Sequence, residues 1–136
     1  MPVTYQIDRA NRLIHTICTG PLTAAEVVDH FRVLENDPSC PDYIDVLLEV
    51  RDGSNVPKSD ELRHVVQAIE RARSRVNFGT CAIVARSDAL FGMMRMFEVF
   101  AEAYFRKMQT FRTVGEAEVW LAMERHPQLT ATTSVM

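Results

Sequence analysis

Residues that could bind an anion follow two apolar segments of this 136-residue sequence. Segments 43–50 and 80–85 each lead directly into an arginine and further polar residues. In open parallel sheets, ligands collect at the carboxyl ends of the strands, and guanidinium groups suit phosphates and carboxylates. An alternative interpretation is that these arginines only pair with Asp52 and Asp88 of their own loops. The candidate ligand- or partner-binding residues are Arg51, Asp52, Ser54, Arg86, Ser87 and Phe91.

The remaining chemically active residues form no recognisable catalytic or metal-binding pattern. The four histidines lack the spacing of metal ligands. Asp45 and Glu49 share one face of a predicted strand, about 13 Å apart, which is farther than paired glycosidase carboxylates. The sequence contains no GxGxxG, Walker or HExxH motif. It therefore predicts no catalytic residue, metal site or cofactor, and an enzyme at the strand ends is the least supported class.

The three cysteines indicate neither a disulfide framework nor a metal knuckle, because their number is odd and no two are close in sequence. Cys18 and Cys81 lie in apolar segments and are expected to be buried and inert. Cys40 lies in the loop PSCPD and is predicted to be the one thiol that meets solvent. With no secretory leader, a reducing cytoplasm is the expected location.

Composition indicates a soluble globular protein. Hydrophobic residues make up 47% and charged residues 24% of the chain, and a net charge of −3 provides no general attraction to nucleic acid or an anionic membrane. The longest apolar segment carries three charges and is a poor membrane span. We expect one domain over residues 1–125 and a flexible tail over 126–136.

The elements that must position the candidate residues follow from hydrophobic periodicity and turn signals. The predicted strands cover residues 3–8, 13–20, 43–50, 80–85 and 109–113, and a helix follows each strand except the first. Capping boxes at Thr23 with Glu26 and at Thr113 with Glu116 start two of these helices, and Ser59 is the expected cap of another. The order ββαβαβαβα predicts an α/β fold with a mixed sheet of about five strands, the first antiparallel and the rest parallel.

The segment LFGMMRMFEVFAEAYF (90–105) could be a core helix, a lid over an apolar ligand or half of a dimer interface. Its charges, with Arg106, fall in one stripe about 80° wide, leaving an apolar arc of roughly 240°. Glu102 and Arg106 are spaced for an i,i+4 pair. Phe91 falls on the charged stripe, beside the strand-end loops. The side chains predicted to face the sheet are Met93, Met96, Phe100 and Tyr104.

Four segments together resemble the SpoIIAA-like family, in particular small bacterial proteins grouped with STAS and CRAL-TRIO-type domains. They are GPLTAAE (20–26), LLEVRD (47–52), AIVARSDALFGMMRMFE (82–98) and TFRTVGEAEVWL (110–121). The resemblance covers roughly residues 3–122. It implies (β/α) units wound as a superhelix, in a group whose members mostly have no assigned function.

The STAS side of this resemblance implies regulation by phosphorylation. STAS anti-anti-sigma factors use a phosphorylatable serine where the third strand leads into its helix. The corresponding segment here, DGSNVPKSDEL (52–62), lacks the DSSGL-like run but offers Ser54 and Ser59. A phosphate on Ser59 would be stabilised by a helix N-terminus, whereas the alternative is that Ser59 only caps the helix.

Two functions therefore remain open from the sequence. The first is a non-enzymatic regulatory or protein-interaction domain, expected to have a protein partner and to form a homo-oligomer, in the simplest case a dimer. The second is a protein that binds a small anionic or apolar ligand at the carboxyl ends of the central strands. CRAL-TRIO-type domains bind apolar molecules but are much longer, so a lipid-sized cavity is not expected.

Overall fold

The computed structural model describes residues 3–20, 23–51 and 58–125. Its strands are β1 (Val3–Asp8), β2 (Leu13–Cys18), β3 (Tyr43–Val50), β4 (Asn77–Ala85) and β5 (Lys107–Phe111). Its helices are α1 (Ala24–Glu35), α2 (Ser59–Ala72), α3 (Asp88–Ala101) and α4 (Val114–Arg125). The segment 126–136, predicted to be a flexible tail, lies outside the described residues.

The five strands form one sheet in the order β1-β2-β3-β4-β5. β1 pairs with β2 in antiparallel orientation, and every other pair is parallel. The predicted α/β class, the order ββαβαβαβα and the strand directions are therefore confirmed. The last strand begins two residues earlier than predicted, because Lys107 and Met108 already pair with β4.

Helices cover the two faces of the sheet unequally. Apolar side chains of α1, α2 and α3 form one cluster with strand residues such as Ile14 and Ile83. α4 packs on the opposite face, where Leu121 joins a smaller cluster that includes Ala82. β4 is buried from Phe78 to its end, as its nearly unbroken apolar sequence indicates for a strand covered on both faces.

Local capping signals start α1 and α4 where the sequence predicts them. The Thr23 hydroxyl accepts a hydrogen bond from the Glu26 amide, and Thr113 does the same for Glu116. The prediction for the second helix is wrong by one residue. α2 begins at Ser59, and Lys58 occupies the N-cap position without a side-chain hydrogen bond to the helix.

The orientation predicted for α3 is wrong in part. Met93, Phe100 and Tyr104 pack against the main core as predicted, whereas Met96 is 39% exposed instead of facing the sheet. Glu98 lies against β5, where its carboxylate accepts a hydrogen bond from Thr110, so part of the predicted charged stripe is turned toward the sheet edge. The helix ends at Ala101, which leaves Arg106 outside it and prevents the expected i,i+4 pair with Glu102. The buried residues of α3 are Leu90, Met94, Phe97 and Ala101.

A buried ion pair fixes the end of α4 on the sheet. Arg125 Nε donates to Asp45 Oδ2 at 2.8 Å, with both side chains largely shielded from solvent. The register of β3 and β4 shifts at Asp45, so this residue faces Gly79 and Thr80 together. Asp45 Oδ1 accepts the Thr80 amide at 2.7 Å, which replaces the backbone acceptor that the bulge removes.

No helix of the described segments is both long and apolar enough to cross a membrane.

Candidate functional site

A pocket of about 450 Å³ opens at the carboxyl ends of β3 and β4. It contains both arginines that the sequence proposes as anion ligands, Arg51 and Arg86. The first residue of α4, Val114, closes one side of the pocket. The remaining described residues of the lining are Glu49, Val50 and Val84.

Strand register places the two arginines side by side. Val50 and Ala85 are Cα partners at the ends of β3 and β4, so Arg51 and Arg86 leave neighbouring strands at the same level. The Arg51 amide donates to the carbonyl of Cys18 at 3.0 Å, which extends the sheet pairing by one residue. The position of Arg51 at the pocket is thus set by backbone hydrogen bonding.

A chain of polar side chains leads across the sheet face into the pocket. Arg51 Nε lies 3.3 Å from Glu49 Oε1. The other oxygen of Glu49 lies 3.1 Å from His15 Nε2 on β2. Because Glu49 is shared between two partners, Arg51 is only partly neutralised and keeps guanidinium N–H groups for a ligand.

Arg86 supplies the second positive charge of the pocket. It forms no salt bridge with a described residue. Asp88, which the alternative interpretation offered as its partner, pairs instead with Arg112, at 2.6 Å. The described lining therefore holds two guanidinium groups and one carboxylate, next to a helix start whose first backbone N–H groups lack intrahelical partners.

Ser87 and Phe91 lie beside the pocket and are not among its lining residues. The Ser87 hydroxyl caps α3 by accepting the Leu90 amide at 3.2 Å. The Phe91 ring is half-buried against the core, and the Arg112 guanidinium stacks over it 4.3 Å from its centroid. Phe91 thus serves as a packing surface for an arginine at the rim.

For three further sequence candidates the structure describes no side chain. Asp52 and Ser54 lie outside the described residues. Ser59 is the first residue of α2, and its side chain is not described. The phosphorylation hypothesis for Ser54 and Ser59 therefore stays a prediction.

Sequence reasoning missed several residues of this region. A signal for Arg112 was present, because an arginine directly follows each of the strands β3, β4 and β5. Glu49 could have been found because it lies two residues before Arg51 and so shares its side of the strand. No sequence signal connects these residues with His15 or Val114, which the sheet pairing and the return of α4 bring to the site.

A second, smaller cavity of about 100 Å³ lies between the helical layer and the sheet. Its wall is almost entirely apolar and includes the ring of His30, whose pKa burial lowers to about 4. A cavity of this volume is smaller than ligand pockets, which measure roughly 300–1,000 Å³. It gives no room for a lipid-sized molecule.

The prediction that Cys40 meets solvent is wrong. Cys40 is 2% exposed and packs in the main core, where its thiol donates to the carbonyl of Pro41. Burial raises the pKa of the Cys40 thiol, which opposes formation of a reactive thiolate. Cys18 and Cys81 are buried as predicted. Within the described segments, no three His, Cys, Asp or Glu residues come together in a group that could hold a metal ion.

Comparison with protein families, with characterised proteins and with solved structures finds no match to this chain. The resemblance to SpoIIAA-like proteins therefore rests on the quoted sequence segments.

Proposed function

We propose that this protein binds a small molecule carrying a phosphate or carboxylate group, in the pocket at the carboxyl ends of β3 and β4. The observation that carries the proposal is that Arg51 and Arg86 line one pocket. Two guanidinium groups from adjacent strands can donate several parallel hydrogen bonds to one anionic group.

The shape and surroundings of the pocket support a ligand of this class. Its volume of about 450 Å³ falls within the range of small-molecule sites. The start of α4 adds backbone N–H groups and the positive end of a helix dipole. Arg112 adds a third guanidinium at the rim, held by Asp88 and by the carbonyl of Arg86 at 2.9 Å.

The proposed role is binding without catalysis. Glu49 is the one acid–base side chain in the described lining, and His15 and Arg51 already bond to it. The described lining offers no hydroxyl or thiol that Glu49 could activate. The geometry therefore supports recognition of an anion better than a chemical step on it.

Titration by NMR tests the proposal. Inorganic phosphate and acetate are added separately to ¹⁵N-labelled protein at constant ionic strength, with chloride as the reference anion. We expect saturable shifts at the amides of Arg51, Arg86 and Val114. The variant Arg86→Gln should bind phosphate at least about 10-fold more weakly, because a charged hydrogen bond contributes about 1.5–3 kcal/mol.

The matched control is Arg32→Gln, which removes an exposed arginine from α1, remote from the pocket lining. This variant should bind phosphate as the native protein does. Absence of shifts at the three amides, or equal weakening in both variants, would contradict the anion site.

A second candidate is a regulatory or protein-interaction domain resembling STAS domains, in a bacterial cytoplasmic protein. The observation that favours it is the exposed apolar outer side of α3, where Val99 is 66% exposed. A phosphate on Ser54 or Ser59 in protein purified from its source would support this role. The proposed homodimer belongs to this candidate.

A further inference from the structure

The pocket at the carboxyl ends of β3 and β4 presents a negative group directly beside a positive one. Glu49 lines the pocket together with Arg51 and Arg86. Glu49 Oε1 lies 3.3 Å from Arg51 Nε. A simple anion held between the two arginines would therefore lie close to a carboxylate of the same sign, which weakens its binding. A ligand that carries a positive group next to its negative one complements the pocket better.

Backbone pairing brings Glu49 and the two arginines to the same region of the sheet. Glu49 and Arg51 are two residues apart, so their side chains leave the same face of the strand. Glu49 is the Cα partner of Val84 on β4, two residues before Arg86. Val84 belongs to the cluster of Leu121, so this is the face on which α4 packs. The three charged side chains thus reach the pocket from neighbouring strand positions.

Glu49 is partly buried and can accept a further hydrogen bond. Its side chain is 17% exposed, and its second oxygen, Oε2, lies 3.1 Å from His15 Nε2. An ionised carboxylate has about four acceptor sites on its two oxygens, and His15 and Arg51 each take one of them. A carboxylate withdrawn from water is stabilised by additional donors. Because His15 holds Oε2 on the β2 side, Oε1 is the oxygen beside Arg51.

The other described residues of the lining are uncharged valines. The described lining therefore carries two guanidinium groups and one carboxylate. A ligand with one carboxylate and one ammonium group places each of its charges against an opposite charge. The two oxygens of the ligand carboxylate can then accept from two different guanidinium groups.

We propose that the ligand of this pocket is a zwitterion with an ammonium group on the carbon next to its carboxylate, as in a free α-amino acid. The carboxylate accepts hydrogen bonds from Arg51 and Arg86, and the ammonium group donates to Glu49 Oε1. Both charged groups of such a molecule are attached to one carbon, which suits the direct contact of Glu49 with Arg51. This zwitterion site rests on the proposed anion site and adds the group that is recognised beside the anion.

Glycine and acetate test the inference, because they differ by the ammonium group alone. Both are titrated into the ¹⁵N-labelled full chain at neutral pH and constant ionic strength, with shifts followed at the amides of Arg51, Arg86 and Val114. We expect glycine to bind at least about 10-fold more tightly than acetate, as a hydrogen bond between two charged groups contributes on this scale.

The variant Glu49→Gln separates recognition of the ammonium group from support of the pocket. Glutamine keeps the length and one acceptor oxygen of glutamate but carries no charge. We expect glycine to bind roughly 10-fold more weakly to this variant. Acetate should bind as tightly as before or more tightly, because a like charge has been removed. The matched control is Glu70→Gln, which removes an exposed carboxylate from α2 and should change neither affinity.

Equal affinity of the native protein for glycine and acetate would overturn the zwitterion site and leave the anion site in place. Equal weakening of glycine and acetate in Glu49→Gln would also overturn it, since Glu49 would then only support Arg51. Absence of saturable shifts with glycine, acetate and inorganic phosphate alike would contradict the anion site itself, and the zwitterion site with it. The two failures are therefore distinguishable.

Discussion

Asp45 is the residue whose environment departs most from what its sequence position indicates. A carboxylate on the second face of an amphipathic strand is expected to be wet, yet Asp45 is 6% exposed. Its partner Arg125 is 80 residues away and reaches it only because α4 returns over that face. Such a pairing depends on tertiary packing, so the local pattern of β3 could not predict it.

Gly79 is required by the crowding around Asp45. A Cβ built on Gly79 lies 2.1 Å from the Tyr43 hydroxyl oxygen and 2.2 Å from Asp45 Oδ1. We expect Gly79→Ala to lower the free energy of unfolding by roughly 1–3 kcal/mol, as other overpacked substitutions do. Urea denaturation followed by circular dichroism measures the change.

The control for this substitution is Gly115→Ala. Gly115 lies in the first turn of α4, and apart from its chain neighbours and the backbone of its own helix no described atom lies within 4 Å of the added Cβ. Because alanine is favoured over glycine within helices, we expect a gain of up to about 1 kcal/mol. Equal effects of the two substitutions would show that the contacts of Gly79 with Tyr43 and Asp45 do not restrict this position.

At the level of single elements, the local sequence determines where α3 starts but not which of its sides is buried. Its start is local, since Ser87 caps it by bonding the Leu90 amide. Its rotation about its own axis is not local. Glu98 accepts a hydrogen bond from Thr110 on β5, so this charged residue lies at the sheet edge. The buried side of α3 is therefore shifted toward Phe97.

Because of this rotation, we expect alanine substitutions of two phenylalanines of α3 to lower the free energy of unfolding by different amounts. Phe97 is 6% exposed and packs in the main core, so Phe97→Ala should cost about 3–5 kcal/mol. Phe91 is half-buried and also stacks with Arg112, so Phe91→Ala should cost roughly 1–2 kcal/mol. Chemical denaturation of both variants measures the difference.

Met96→Ala completes this comparison, because Met96 is partly exposed on the opposite side of the helix. We expect a smaller loss than for Phe97→Ala, because less of the Met96 side chain is buried. A larger loss for Met96→Ala than for Phe97→Ala would restore the orientation that the sequence pattern predicted.

At the scale of the whole molecule, strand order is the step that made part of the site predictable. Once 43–50 and 80–85 are recognised as neighbouring parallel strands, Arg51 and Arg86 must meet at their ends. The contribution of α4 was not predictable in this way. Its placement on the second face depends on packing against β4 and on the Asp45–Arg125 pair.

The packing of the helical layer on the sheet also makes the free energy of unfolding depend on pH. His30 on α1 lies in the wall of the inner cavity, between the rings of Tyr5 and Phe31, and burial lowers its pKa to about 4. An unfolded histidine has a pKa near 6.5. Between these values the unfolded chain binds more protons, so the free energy of unfolding falls as the pH drops from about 6.5 to 4, by up to roughly 3 kcal/mol.

A variant without a titratable side chain at position 30 isolates the contribution of His30 to the acid sensitivity. His30→Phe keeps an aromatic ring against Tyr5 and Phe31, and it should flatten the decline of the free energy of unfolding across that pH window. His64→Gln removes an exposed histidine of α2 instead, and it should leave the decline in place. A hydrogen bond from Tyr5 lowers the pKa of the Asp37 carboxylate. Protonation of Asp37 therefore reduces stability only at more acidic pH, outside the window in which His30 titrates. Urea titrations at several pH values decide the question, and an unchanged decline in His30→Phe would show that the acid sensitivity arises elsewhere in the chain.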